Sequence, residues 1–348
     1  MLTGAIIGCG RVVQVGHLLG FKEVADRIRI VAVADPVAEN RDMVGNALGV
    51  PSAARFADYR DLLISTPTDF VSLALPHFLH EEVTLACAEA GRHILTEKPL
   101  TVSMESAGRV AAVVRRAGIV LGIHHNYHHF PHYSAMRQVI AEGRIGRPFF
   151  IRYEGIGGGP WDGIKSYDPA WRTRADRSGG GVLLDNGYHS MYMCEYFMKS
   201  PVAEVSARVG NFQKFAVDDL AVVTLTHQNG GISSVQVSWA VDAPGRSVLE
   251  VHGTEGSLQV ADDNSIHICR NNAGAWQPCY QPTEQLSFRF TFGASFRDFA
   301  SVLVEGKKPD AGLQDALHNL AIVMAGYESQ RVGQRVIVEA IEQRATAK

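Results

Sequence analysis

The first twenty-one residues constrain the fold most. Gly4-Ala5-Ile6-Ile7 is a short apolar strand that breaks at Gly8-Cys9-Gly10, and Val12 to Phe21 then reads as the start of a helix. Strand, glycine turn and helix, in that order, form a seat for a dinucleotide pyrophosphate. Gly8 allows the tight bend, Gly10 lets backbone amides approach without a Cβ in the way, and the helix N-terminus adds its partial positive charge. Val13 stands where this fingerprint has its third Gly or Ala, so helix and strand are expected to pack slightly further apart. A second apolar strand, Ile28 to Ala34, ends in Asp35-Pro36. An acidic side chain there accepts ribose hydroxyls and repels a 2′-phosphate, which favours NAD; Arg41 nearby keeps NADP open. Gly8, Gly10, Arg11, Val12 and Asp35 are the expected cofactor contacts in this region.

Strand and helix continue to alternate. Phe70 to Leu75, His93 to Thr96 and Ile119 to Ile123 read as strands, and Glu81 to Ala90 and Ser103 to Ala117 as helices closed by Gly91 and Gly118. Repeated βα units with near-continuous apolar strands imply a parallel sheet covered on both faces, and ligands of such sheets lie beyond the carboxyl ends of the strands. Pro76, His77, His80, Glu97, Lys98, His124, His125 and Asn126 all follow strand ends and should share one rim. Pro76, His80, Glu97, Lys98 and Asn126 complete the expected cofactor-binding set.

Beyond Pro131 the texture changes. A helix from Pro131 to Glu142 gives way to alternating strands at Phe149–Gly155, Val202–Val209, Ala221–Thr226, Ser233–Trp239, Ser247–His252 and Ser257–Val260, separated by turns such as Gln228-Asn229-Gly230-Gly231. A helical insertion runs from about Asp185 to Lys199, and Gly179, Gly180 and Gly181 before it give the backbone freedom to bring that helix against the first half. The final helices, near Phe296–Glu305 and Leu313–Gly333, are expected to pack back on this second sheet. The predicted class is α/β: a dinucleotide-binding, doubly wound parallel sheet over residues 1–124, then an α+β substrate-binding and oligomerisation domain with a large, mainly antiparallel open sheet over 125–348. Two domains suit a chain of 348 residues.

The formal net charge of −3, with no long basic or acidic block, argues against nucleic acid and anionic membranes as partners and for a small-molecule substrate. Five cysteines, an odd number without zinc-ribbon or redox spacing, read as reduced thiols of a cytoplasmic protein. The sequence shows neither a signal peptide nor an apolar run long enough to span a bilayer.

Two clusters carry chemistry. Glu97-Lys98-Pro99 follows an apolar strand and puts an amine where a substrate would meet a nicotinamide ring. Asp185-Asn186-Gly187-Tyr188-His189 places a carboxylate and an imidazole four residues apart, which on a helix is one face. Oxidising an alcohol requires removal of the hydroxyl proton as hydride leaves carbon, a task suited to a lysine or histidine with pKa near neutral. A cationic nicotinamide and partial burial would depress the pKa of Lys98 toward that range. Lys98, Asp185 and His189 are therefore the candidate catalytic set, with Asp185 orienting a sugar hydroxyl or His189. In the long loop from Gly155 to Gly181, Trp161 and Trp171 could stack on a sugar face and Arg172 bind hydroxyls or a carboxylate, or the tryptophans could simply anchor the loop. Trp239 reads as sheet packing or an interface residue.

Taken together, Gly8-Cys9-Gly10, Asp35, Glu97-Lys98-Pro99 and the run Gly180-Gly181-Val182-Leu183-Leu184-Asp185-Asn186-Gly187-Tyr188-His189 resemble the glucose–fructose oxidoreductase / inositol dehydrogenase family, Gfo/Idh/MocA, over essentially the whole chain. The resemblance implies a Rossmann domain, a C-terminal domain whose open sheet makes a homodimer or homotetramer, and NAD(P)-linked redox chemistry on sugars, cyclitols and their derivatives. It also implies proton transfer by Lys98 and His189, substrate positioning by Asp185, a loop beside the nicotinamide shaped by Glu97 and Pro99, and a cis bond before Pro99.

The run His124-His125-Asn126-Tyr127-His128-His129-Phe130-Pro131-His132 departs from that pattern, because family members often have an arginine near His128 or His129. Its five histidines in nine positions raise a metal site, but Pro131 interrupts a helix and the run holds no acidic or thiol ligand, so none is expected. Instead Asn126, His125 and Tyr127 are expected to line the pocket and other histidines to be solvated. The leading expectation is a dehydrogenase of a sugar, cyclitol or sugar derivative. The alternatives are a glycoside-cleaving enzyme working by transient oxidation and a non-catalytic nucleotide-sensing regulator, the latter disfavoured because lysine and histidine are both present.

Overall fold

The computed structural model describes residues 1–157, 169–242, 244–270, 274–285 and 287–345. Six strands, β1 (Leu2–Ile7), β2 (Ile28–Ala34), β3 (Arg55–Phe56), β4 (Phe70–Leu73), β5 (His93–Thr96) and β6 (Leu121–Ile123), form a parallel sheet in the order β3-β2-β1-β4-β5-β6. The chain winds out from β1 in one direction, then returns to its other side at β4. That reversal leaves a crevice at the carboxyl ends of β1 and β4, where such sheets receive nucleotides. The connecting helices are α1 (Leu18–Lys22), α2 (Ala38–Leu48), α3 (Tyr59–Ser65), α4 (His80–Glu89) and α5 (Met104–Ala117). Ser103 caps α5 by accepting from the Ser106 amide, and Gly118 ends it in the left-handed region, as the sequence indicates. The turn after β1 enters its helix through a wider coil at Val13–His17 before α1 begins.

After α6 (Pro131–Ala141), the second sheet has nine strands. They are β7 (Pro148–Ile156), β8 (Val202–Gly210), β9 (Leu220–His227), β10 (Ile232–Ser238), β11 (Arg246–Gly253), β12 (Gly256–Val260), β13 (Ile266–Arg270), β14 (Gln277–Tyr280) and β15 (Val336–Ile337), ordered β14-β13-β12-β11-β7-β10-β9-β8-β15. All neighbours are antiparallel except β7 and β10, which pair in parallel in the middle of the sheet. Between β7 and β8 lie a short helix α7 (Ala175–Ser178) and α8 (Tyr188–Met198), the latter preceded by a wide turn at Leu183–Gly187. The site helix is buried almost throughout, from Tyr188 to Cys194 and again at Phe197 and Met198.

One expectation is overturned. Helix α9 (Phe288–Glu305) does not pack on the second sheet but returns to the first. Phe292, Phe296 and Phe299 join Ile6, Val13, Phe21 and Phe70 in one apolar core. The contact depends on two glycines: a Cβ at Gly16 would sit 2.5 Å from the Phe292 ring, and one at Gly20 2.7 Å from the Phe292 Cβ. Helix α10 (Leu313–Val332) does pack under the second sheet, and α11 (Val338–Glu342) closes the chain near it. No helix among the described residues is long and apolar enough to cross a membrane.

Candidate active site

Two adjoining cavities open at the carboxyl edge of the first sheet. The first, an open groove of about 1320 Å3, is lined by Gly8, Gly10, Arg11, Val12, Asp35 and Pro76 among others. Its floor is the turn after β1. Gly8 has φ +91°, and a Cβ there would lie 2.2 Å from the Ala74 carbonyl oxygen, so only glycine fits. A Cβ on Gly10 would meet nothing within 4 Å. That open approach to the backbone suits a bulky phosphate ligand. Asp35, at the end of β2, accepts the Cys9 amide at 2.7 Å through one carboxylate oxygen and the Val37 amide at 2.8 Å through the other. Burial raises its pKa above the usual aspartate value, against the lowering effect of those amides and of Arg41. Each oxygen retains a lone pair for a ribose hydroxyl. Arg41 donates to the Asp35 carbonyl at 2.7 Å, while Arg60, at the start of α3, lines the groove without any motif to announce it. These features fit an adenine dinucleotide.

The second cavity, about 840 Å3, brings together Glu97, Lys98, Asn126, Tyr127, Trp171, Arg172, Asp185 and His189. Trp171 and Arg172 border both cavities, with the guanidinium 4.4 Å from the Trp171 ring. The Lys98 amine donates to the Asp185 carboxylate and, at 3.1 Å, to the Asp185 backbone carbonyl. Arg172 Nε lies 3.7 Å from the other Asp185 oxygen. Burial works to raise the Asp185 pKa, but the charges of Lys98, Arg172 and His77 outweigh it and hold the carboxyl below its ordinary range. The Lys98–Pro99 peptide is cis.

His189 stacks flat on Tyr127, with ring centroids 4.0 Å apart and planes 9° from parallel. Its Nδ1 lies 3.1 Å from the Tyr192 hydroxyl, which also accepts the Tyr127 amide at 2.9 Å. Burial, reinforced by the Lys98 charge, lowers the His189 pKa well below 6.5, so the imidazole is neutral at neutral pH. Glu97 is bonded to His17 Nε2 at 2.8 Å; burial pushes its pKa up, but the His17 hydrogen bond and neighbouring charges bring it down to about 2.

The helix that delivers Asp185 and His189 is seated by a residue without a sequence signal. Asp218 accepts from the Gly181 amide at 2.7 Å, the Leu183 amide at 2.8 Å and the Tyr327 hydroxyl at 2.9 Å. Gly179 is left-handed at φ +77°, and a Cβ on Gly181 would fall 1.8 Å from the Asp218 carbonyl oxygen. The glycine run therefore serves close approach as much as freedom. Trp239 packs in the sheet core and also donates to the Asn186 side chain at 2.7 Å.

Three sequence expectations change here. His80 is fully buried, its ring nitrogens bonded to the Pro99 carbonyl at 2.7 Å and the Leu75 carbonyl at 2.9 Å, so its side chain braces the Lys98–Pro99 turn instead of meeting a cofactor. His125 is also buried. Its ring stacks on Tyr192 at 4.2 Å and meets the Tyr188 hydroxyl at 3.2 Å, which takes it out of the substrate cavity. The remaining histidines of that run are buried or half-buried, not solvated, because aromatic neighbours take them in. Trp161 lies outside the described residues. His77, a rim residue by sequence, lines the cavity, bonds the Ser178 carbonyl at 3.0 Å and meets the Trp171 ring edge-on at 4.8 Å. Burial drops its pKa to about 3.

Both halves of the chain resemble known proteins. The family model described as "Oxidoreductase family, NAD-binding Rossmann fold" matches residues 2–125, and that of the "GFO/IDH/MocA C-terminal domain" matches residues 133–259. A 1,5-anhydro-D-fructose reductase from Ensifer adhaerens is 30% identical over 286 residues, 80% of this chain and 82% of that protein. A scyllo-inositol 2-dehydrogenase (NAD(+)) from Bacillus subtilis is 25% identical over 341 residues, 95% of each chain. Among solved structures, levoglucosan dehydrogenase in complex with NADH superposes with a TM-score of 0.86 at 22% identity, covering 97% of this chain and 99% of that one. An Agrobacterium radiobacter oxidoreductase in complex with NAD+, L-tartaric acid and magnesium gives 0.85 at 23%, with the same coverage. At that identity the structural likeness speaks for the fold, whereas the sequence matches speak for descent: the chain belongs to the Gfo/Idh/MocA family of NAD-binding oxidoreductases.

Proposed function

We propose that this oxidoreductase interconverts a secondary alcohol and a ketone on a sugar, cyclitol or sugar derivative, with NAD as the preferred cofactor. The observation that carries this reading is the convergence of Lys98 and His189 on one cavity beside the nucleotide groove. A bound nicotinamide supplies the hydride acceptor or donor. The glycine turn and Arg11 and Val12 would hold the pyrophosphate end, Asp35 the ribose, and Pro76, Glu97, Lys98 and Asn126 the nicotinamide side.

The protein's own groups account for the proton. The Tyr192 oxygen accepts the Tyr127 amide and has a second lone pair for the Nδ1 proton of His189, which leaves Nε2 as an uncharged acceptor for a hydroxyl proton. In the opposite direction the imidazolium so formed, its Nδ1 proton still held by the Tyr192 oxygen, returns the Nε2 proton to the substrate oxygen. Lys98, fixed by Asp185, is placed to hold the substrate oxygen and share in that transfer. Asp185 positions the amine, and Arg172 and Trp171 offer hydrogen bonds and a flat ring to a polyol. The relatives named for an anhydrofructose and a scyllo-inositol support a polyhydroxylated ring as the substrate class.

We further propose that residues 1–124 and 125–348, with α9 joining the first unit, divide cofactor from substrate binding, and that Val222 and Ile232, exposed on one face of adjacent strands, mark a homodimer or homotetramer contact. The five unpaired thiols suit a reducing cytoplasm. Measuring NADH formation across polyols, aldoses and sugar acids, with glycosides in parallel, tests the central reading. Net NADH from a cyclic polyol or sugar is expected. Glycoside cleavage without net NADH would replace it.

A further inference from the structure

The histidine-rich run holds a feature that the dehydrogenase reading does not use. His128 and His129 end the short turn Asn126–His129, and their Nε2 atoms face each other at 3.1 Å. Both rings are sheltered, His128 by stacking on Tyr196 with ring centroids 5.4 Å apart. Two imidazoles with Nε2 facing Nε2 can share one N–H···N hydrogen bond, or aim two lone pairs at one point. A cation favours the second arrangement. A tetrahedral zinc ion with bonds of about 2.0–2.1 Å sets its nitrogen ligands roughly 3.3 Å apart, near the spacing found here.

The sequence run lacks an acidic ligand, but the fold supplies one. Asp310, in the segment between α9 and α10, brings a carboxylate oxygen into the same cluster, in which the three ligand atoms lie within 4.8 Å of one another. Its backbone amide is held by the Asp298 carboxylate at 3.1 Å, and both aspartates line one small cleft with His128 and His129. Asp310 is exposed, which leaves its side chain room to turn toward the two imidazoles.

We propose that His128 Nε2, His129 Nε2 and the Asp310 carboxylate form a binding site for one divalent transition-metal ion of the zinc or cobalt type, with water as the fourth ligand. The ion would clamp the Asn126–His129 turn to the segment before α10. That turn also carries Asn126 and Tyr127 into the substrate cavity, so the clamp would steady the face on which His189 stacks. The site stands apart from the redox cavity, and the proposal does not depend on the substrate assigned above.

The test uses the full chain, stripped with a chelator and titrated with Co2+. One equivalent should bind with the visible absorption of a tetrahedral N/O site and be displaced by Zn2+. His129→Ala and Asp310→Asn should each weaken binding by more than the ~10–100-fold typical of losing an outer-shell partner. Zn2+ should raise the melting temperature of the parent chain but not of Asp310→Asn, an exposed change that leaves the apo fold intact. Failure of the parent to take up one equivalent of Co2+ overturns the site, as does uptake unaltered in a His128→Ala/His129→Ala double variant whose circular dichroism matches the parent.

Discussion

Lys98 follows a strand of the first sheet and Asp185 sits at the start of a helix under the second, yet the Lys98 amine donates to both the side chain and the backbone carbonyl of Asp185. The amine is thereby fixed across the cleft between the two sheets. Lys98→Ala should lower kcat by ~10²–10⁴, the usual share of a positioned acid–base group, with little change in NADH affinity. Steady-state rates beside a fluorescence titration of NADH check both halves. Turnover at the parent level would remove Lys98 from the chemistry.

Asp185→Asn keeps the shape and removes the charge. Because burial is outweighed by Lys98, Arg172 and His77, the folded carboxyl titrates below the ordinary aspartate value. A depressed pKa contributes stability above the unfolded value, about 4, which is lost as pH falls through the folded one. The parent should therefore exceed Asp185→Asn in urea midpoint near neutral pH, and the gap should shrink below about pH 4. A gap that widens in acid would show that Lys98 does not govern this carboxylate.

How much of this was legible in advance depends on how local each signal is. Strands β2 and β5 announce themselves as apolar runs, and Lys98, Asp185 and His189 as residue types at strand and helix starts. Helix α2 escapes because it buries only Asn40, Val44 and Gly45, too narrow a stripe to give a period. β3 is two residues long, and β14 contains Pro278. The return of α9 to the first sheet rests on Gly16 and Gly20 meeting Phe292, a match between segments more than 270 residues apart. His80 and Lys98 both follow strand ends, and only the carbonyls of Leu75 and Pro99 decide that His80 faces inward.

Asp35→Ala should weaken NAD binding and reduce discrimination against NADP, since the side chain that would receive the ribose hydroxyls and repel a 2′-phosphate is gone. The variant also frees the Cys9 amide in the phosphate turn, which should weaken both cofactors alike, so that the extra loss for NAD reports the ribose contact alone. Dissociation constants for both cofactors, in parent and variant, measure the ratio. Tighter NADP than NAD binding in the parent would undo the ribose assignment.

His318 should make the fold sensitive to alkali. Burial lowers its pKa, but Glu195 at 2.8 Å and Glu342 at 2.5 Å raise it further, to about 9. A pKa raised above the unfolded value contributes stability that is complete below about 6.5 and is lost as pH rises through the folded value. This histidine ties α10 to α8 and α11, so melting temperature should decline between neutral pH and about pH 9 in the parent and change less in His318→Gln. Parallel slopes in the two proteins would refute the ion triad.

Gly181→Ala tests whether the seat of the site helix governs the chemistry. The added Cβ would lie 1.8 Å from the Asp218 carbonyl oxygen, a backbone atom that no rotamer change can withdraw. Either the helix start or the segment around Asp218 must shift, and the shift loosens carboxylate bonds to the Gly181 and Leu183 amides. Overpacking of this kind costs ~1–3 kcal/mol. Asp185 lies four residues further on and His189 eight, so displacement should reach both groups and lower kcat/KM more than the stability loss alone accounts for. Asp218→Asn, which leaves one oxygen to serve two amides, should reproduce the defect without adding volume, at ~1–3 kcal/mol for the unsatisfied donor. Thermal melts and kcat/KM on folded protein separate the two effects. A lowered melting temperature with unchanged kcat/KM in both variants would mean that Lys98 alone, through its hold on Asp185, is enough to place the helix.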